Sequence, residues 1–154
     1  MKKIIVALIA LTISISAFSQ SYKQAVGIKL GYDVEFTYKY NLSQINAIDA
    51  GLGWFFDNSF LVNGFYLWNF DINQVDGLRW YVGPGAYLGA YLHKEYSSIM
   101  FSINARAGIE YKFDDIPLAL SLDWSPGIEF SGKGDDFGPD FGWRGLGLGV
   151  KYTF

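Results

Sequence analysis

The chain has 154 residues, with 12 Lys and Arg against 15 Asp and Glu, a formal net charge of -3, a single histidine and no cysteine. The acidic balance argues against nucleic acid as a partner, and the missing cysteine excludes a disulfide framework, a thiolate metal site and a lipidated N-terminal Cys. Aromatic residues reach 19% while charged residues stop at 18%, where about 25% charged is usual, so a medium other than water is expected over much of the surface.

The chain opens MKKIIVALIALTISISAFSQ, a basic pair (Lys2, Lys3) before an apolar run from Ile4 to Ile13 and then small residues including Ala17 and Ser19. This pattern reads as a secretory signal peptide over residues 1–19, cleaved after Ser19. The run is interrupted at Thr12 and Ser14, too early for a membrane helix, which needs roughly 20 apolar residues. Removing Lys2 and Lys3 leaves ten basic against 15 acidic side chains, about minus five for a mature domain of residues 20–154. That length suits one domain.

Helical periodicity is missing, and Gly is scattered throughout, while alternation of period two runs nearly everywhere. It predicts eight strands, near residues 25–33, 34–42, 46–56, 59–70, 77–92, 98–113, 116–130 and 143–154. The connections carry turn chemistry: Asp57-Asn58-Ser59, Asp71 to Gly77, Asp114-Asp115 and the Gly/Asp-rich stretch from Ser131 to Gly142. The strand at 77–92 places Leu78, Trp80, Val82, Pro84, Ala86, Leu88, Ala90 and Leu92 on one face. The next alternates Ile99, Phe101, Ile103, Ala105, Ala107 and Ile109 with Ser102, Asn104, Arg106, Gly108 and Glu110. Two Pro-Gly pairs, Pro84-Gly85 and Pro126-Gly127, could be turns that split these strands. The apolar parity passes through both prolines, so they are read as bulges or bends within long strands.

The polar parity of the eight strands carries Lys29, Lys39, Arg79, Arg106, Lys112 and Lys151 against Asp33, Glu35, Asp49, Glu110, Asp123 and Glu129. Six cations face six anions. The apolar parity carries one charge, Arg144, expected near lipid headgroups. Glycines, among them Gly27, Gly51, Gly83, Gly108, Gly147 and Gly149, fall on the charged parity. Small residues beside long ions suit a crowded lumen better than a wet surface, and the interior of an eight-stranded barrel is only wide enough for side chains to fill. Ions there must be paired. The expected fold is therefore all-β: an eight-stranded antiparallel up-and-down transmembrane β-barrel, with its apolar face toward lipid and closure satisfying the backbone. Trp68, Phe70, Trp80, Tyr111, Phe113, Tyr152 and Phe154 fall near one rim, and Tyr32, Phe36, Phe56, Phe60, Phe101 and Phe130 near the other, as two interfacial girdles would.

The leader, the eight alternating strands and a last strand with Leu148, Val150, Tyr152 and terminal Phe154 on one parity resemble the small outer-membrane β-barrels of Gram-negative bacteria, of the OmpA-domain and OmpX kind. The resemblance is architectural and spans the mature chain. It implies outer-membrane lipids and the barrel-assembly machinery as partners, with Val150, Tyr152 and Phe154 as the assembly signal. The even strand number and the loop lengths put both termini and the tight turns on the periplasmic side and loops near Val34, Asn58, Glu95 and Gly134 outside, only the last of them long; a monomer is expected.

Chemistry is sparse. His93 lies close in sequence to Glu95, Ser97 and Ser98, nominal triad ingredients, but matches no spacing of the lipid A deacylase or palmitoyltransferase families, and is read as a solvated loop residue. Asp135, Asp136 and Asp140 could offer oxygens to Ca²⁺; their spacing is not that of an EF-hand, and they read as a solvated acidic loop. No cofactor, metal or catalysis is expected. The leading reading is a barrel with a side-chain-filled lumen and a structural or envelope-interaction role, not an open pore. The alternatives are a soluble secreted or periplasmic carrier of a hydrophobic ligand, lipocalin-like with its apolar parity inside, and a lipid-modifying enzyme using His93.

Overall fold

The computed structural model describes residues 22–54, 59–93, 96–131 and 138–154; the signal-peptide reading of residues 1–19 lies outside them. Eight strands follow in chain order: β1 Gln24–Leu30, β2 Val34–Asn41, β3 Asn46–Trp54, β4 Ser59–Asp71, β5 Leu78–His93, β6 Tyr96–Lys112, β7 Leu118–Ser131 and β8 Gly138–Thr153. Each pairs antiparallel with its neighbours in sequence, and β8 returns to β1 to close the barrel. The closing seam is tied by Gln24 N–H to the Phe154 carbonyl at 2.9 Å and Phe154 N–H to the Gln24 carbonyl at 2.8 Å.

At the end of the barrel that holds this seam, three short connections join β2–β3, β4–β5 and β6–β7. In the first, the Ser43 hydroxyl accepts from the Ile45 and Asn46 amides at 3.2 and 3.0 Å. In the second, Gly77 adopts φ +82°, a left-handed conformation that side chains resist. A Cβ there would also collide with the Lys112 carbonyl.

Both prolines lie inside continuous strands. Pro84 stands opposite Ala105 in the β5–β6 ladder, and β7 continues through Pro126. The β4–β5 and β6–β7 ladders each skip two pairs beside a proline and resume in unchanged register, as expected where a donor is missing from a strand. The register slip is on the other side of β7: Trp124 faces Leu146, but Ser125 faces Arg144, so Gly145 is bulged out of the β8 ladder. This corrects the reading of Arg144 as a lone charge on the apolar parity. Beyond the bulge the parity of β8 inverts, and position 144 shares the parity of Ser125 while Phe141 shares that of Ile128. Beyond the bulge the pairing continues to Gly138, so Asp140 belongs to β8, opposite Glu129, instead of to a loop.

The two faces are segregated. Lys39, Arg106, Glu35, Glu110 and Asp49 are all 2% exposed or less, whereas Ile28, Leu52, Leu88, Ile103 and Leu148 are each more than half exposed. On the outer face, rings gather toward the ends of the barrel. Phe70 stacks on Trp80 at 4.4 Å, and Tyr111–Phe113 and Tyr152–Phe154 meet at 4.9 and 6.1 Å near the seam end. Phe101 and Phe130 approach to 6.3 Å toward the other end. Phe56, expected at that rim, is outside the described residues.

Candidate functional site

Odd-numbered lumenal positions of β1, β2, β3, β7 and β8 and even-numbered positions of β6 converge on one buried charge network. Its members are Lys29, Glu35, Lys39, Asp49, Arg106, Glu110, Asp123 and Lys151, four cations and four anions. Arg106 is the hub. Its Nη1 donates to Asp49 Oδ1 at 3.0 Å, its Nη2 to the Tyr87 hydroxyl at 2.9 Å and its Nε to the Ser125 hydroxyl at 3.0 Å. Glu35 and Asp123 approach the same guanidinium to 3.9 Å, and its carbon lies 3.7 Å from the Phe65 ring centre.

The second Asp49 oxygen accepts from Lys151 Nζ at 3.1 Å, and Lys151 lies 3.8 Å from Glu110. Lys39 donates to both Glu110 oxygens at 3.1 and 3.2 Å and to Asn69 Oδ1 at 3.1 Å. Lys29 bridges Glu35 at 3.1 Å and Asp123 at 3.7 Å. Neutral donors complete the shell: Tyr81 donates to Asp123 at 2.9 Å, Asn63 to Glu35 at 2.8 Å, and the Tyr22 hydroxyl to Glu110. A buried ion is tolerated only with this degree of pairing, because desolvation costs several kcal/mol per charge.

Glycines make the room. A Cβ on Gly51 would meet Glu35 and Asn63, one on Gly27 would meet Lys151, and one on Gly147 would come within 3.0 Å of Lys29. At these three positions a long side chain lies across a glycine of an adjacent strand, whereas a Cβ on Gly83 would meet the Tyr66 carbonyl and one on Gly149 the Ser121 hydroxyl.

The remaining four of the twelve sequence-read charges stand apart at the ends. Arg79 donates through Nε to Asp71 at 2.7 Å, a partner on the rim that is 65% exposed. Lys112 donates to the Phe113 and Ile116 carbonyls of its own turn. Asp33 and Glu129 are half-buried toward the opposite end. There a cavity of about 20 Å³ is bounded by Lys29, Asp33, Glu35, Tyr87, Asp123 and Ser125 among others.

Sequence reading missed the other half of the lumen. Leu61, Phe65, Leu67, Tyr81, Tyr87 and Met100, with Ala47, form one buried apolar cluster, supplied mainly by β4 and β5. The ions come from the strands around them. The available signal was Ser59, Asn63 and Asn69, which share one parity of β4 and mark it as lumenal although both faces of that strand are greasy.

Val150 is exposed on the outer face, and Tyr152 and Phe154 follow on the same parity. His93 ends β5 with Tyr96 as its ladder partner, but its side chain, Glu95 and the Ser97 side chain fall outside the described residues, as do Asp135 and Asp136. Asp140 is exposed.

No family model matches the chain, and no curated protein matches it. Among solved structures, the N-terminal β-barrel domain of Pseudomonas aeruginosa OprF is similar at a TM-score of 0.48 and 19% identity, over 85% of this chain and 95% of that one.

Proposed function

We propose that this chain is an integral outer-membrane β-barrel protein whose lumen is filled by side chains, with a structural or envelope-interaction role and no catalytic activity. One observation carries the reading: the apolar parity faces outward around the barrel while eight ions sit paired inside. In water this outer face would be an aggregation surface far beyond the few hundred Å² a monomer tolerates. In hydrocarbon it is the required solvent contact, and a closed barrel leaves no unpaired strand edge. A soluble carrier would need its ligand cavity lined by the residues that here point outward.

Both chain termini and the β2–β3, β4–β5 and β6–β7 turns would lie on the periplasmic side, and the other four connections outside. Membrane lipid and the barrel-assembly machinery are the proposed partners, the latter through Val150, Tyr152 and Phe154. The barrel acts as a monomer, and His93→Ala leaves lipid A acylation unchanged. Arg106, Asp49, Phe65, Tyr87 and Met100 are all buried inside the barrel, which supports a plugged lumen.

The test is fractionation with gel migration. Expected is recovery in the outer-membrane fraction, with a band that shifts on boiling; recovery as a detergent-free soluble protein refutes the reading. Planar bilayers separately test the plug, and a large stable conductance would refute it.

A further inference from the structure

The seam-end mouth of the barrel holds a depression of about 240 Å³ lined by Tyr22, Lys23, Asn41, Leu42, Ser43, Gln44 and Arg79. Arg79 is 8% exposed, yet the guanidinium uses only Nε, toward a single oxygen of Asp71. Its two terminal nitrogens make no hydrogen bond among the described residues. Lys23, exposed on the same wall, makes no ion pair among the described residues; its Nζ stands 5.8 Å from the centre of the Tyr40 ring. Two cations thus line the depression, with Asp71 beside Arg79 on the rim and Glu110 below Tyr22.

The third feature is Asn41. Its Nδ2 donates to the Tyr22 carbonyl at 2.8 Å, and its backbone amide donates to the Lys23 carbonyl at 2.8 Å. The first bond fixes the orientation of the side-chain amide, and leaves Oδ1 buried with no hydrogen-bond partner among the described residues. A buried acceptor without a donor costs about 1–3 kcal/mol. Tyr22 closes the floor: its ring is buried and its hydroxyl donates inward to Glu110.

We propose that this depression is a binding site for a peptide-type acid, a ligand carrying a carboxylate and a neighbouring amide N–H. The open edge of the Arg79 guanidinium is a planar fork suited to a carboxylate, Lys23 adds charge from the rim, and Asn41 Oδ1 takes the amide hydrogen. This goes beyond the envelope reading and depends only on the folded barrel, so it holds or fails whichever way the barrel faces.

The test uses the full mature chain refolded in detergent micelles and followed by NMR at the Arg79 Nε–H and Asn41 side-chain amide. The probes are acetyl-dialanine as the free acid, its C-terminal amide and inorganic phosphate. Expected is a saturable titration by the free acid, with binding at least tenfold weaker for the amide and for phosphate. Arg79→Gln should weaken the free acid at least tenfold and Lys23→Gln severalfold; Lys23 is exposed, so its replacement leaves the fold intact. Equal binding of the acid and its amide overturns the proposal, as does a titration that neither substitution changes. Phosphate binding as tightly as the peptide acid overturns the assigned ligand class.

Discussion

Replacing Arg106 by Met removes the hub of the lumenal network while keeping a long apolar stem. The variant leaves three cations against four anions and strips Asp49, Tyr87 and Ser125 of a donor each. Asp49 keeps Lys151 at 3.1 Å, and Glu35 keeps Lys29 at 3.1 Å, so neither carboxylate is stranded. Breaking a buried pair from one side costs roughly 3–5 kcal/mol; with those surviving partners the low end applies, about 3 kcal/mol. Pairing the change with Asp49→Asn restores charge balance, and the double variant should regain most of the loss. The assay is the urea midpoint of refolding into lipid vesicles, read by tryptophan fluorescence and by the heat-dependent gel shift. A midpoint unchanged in Arg106→Met, or a double variant no more stable than the single one, refutes the paired-network argument.

Three further outcomes are expected. Ile103→Arg places a charge at a position 56% exposed on the outer face; in vesicles it should cost about 2–4 kcal/mol if the site lies near the bilayer midplane, whereas a water-facing strand would show almost no effect in the same midpoint assay. Gly51→Ala drives a Cβ into Glu35 and Asn63, while Gly64→Ala meets nothing within 4 Å. The first should destabilise by roughly 1–3 kcal/mol and the second leave the unfolding midpoint in place; equal midpoints would contradict the role assigned to lumenal glycine. Tyr22→Phe deletes one donor to Glu110, for an expected loss of about 1.5 kcal/mol measured by the same urea titration, and an unaltered midpoint would remove Tyr22 from the network.

The barrel was legible because one face is apolar and exposed and the other largely polar and buried, so a period of two appears in hydropathy and identifies strand and parity together. All eight strands lie where that period puts them, and the prolines at 84 and 126 do not interrupt it. The ends were harder. β8 starts at Gly138 instead of near 143 because Gly, Pro and Asp read as turn chemistry even when paired. The slip at Gly145 was invisible because glycine is compatible with either parity and leaves no break in the pattern. Within the site, the identity of the ions was legible and their partners were not. Arg106 on β6 reaches Asp49 on β3 across the lumen, a contact set by side-chain length and barrel diameter, quantities no local pattern encodes. The apolar cluster of β4 was hidden because "SFLVNGFYLWNFD" is greasy on both faces.

The division of the lumen explains why the register is single-valued. A one-residue slip exchanges the two faces of a strand, and here it would carry buried ions onto the exposed apolar face and turn side chains such as Ile103 into the ionic lumen. The apolar lumenal side chains of β4, Leu61 and Phe65 among them, carry no charge to misplace. The lock therefore comes chiefly from β1 to β3 and from β6 to β8, where the eight ions sit, with Asn63 and Asn69 adding to it from β4. The bulge obeys the same rule. Without it Arg144 would share the outer parity of Leu146 and Leu148; with Gly145 displaced, position 144 joins Ser125 on the inner parity. An irregularity in the ladder thus changes the parity of β8 on its far side, and glycine is the residue that allows it without a side chain to place.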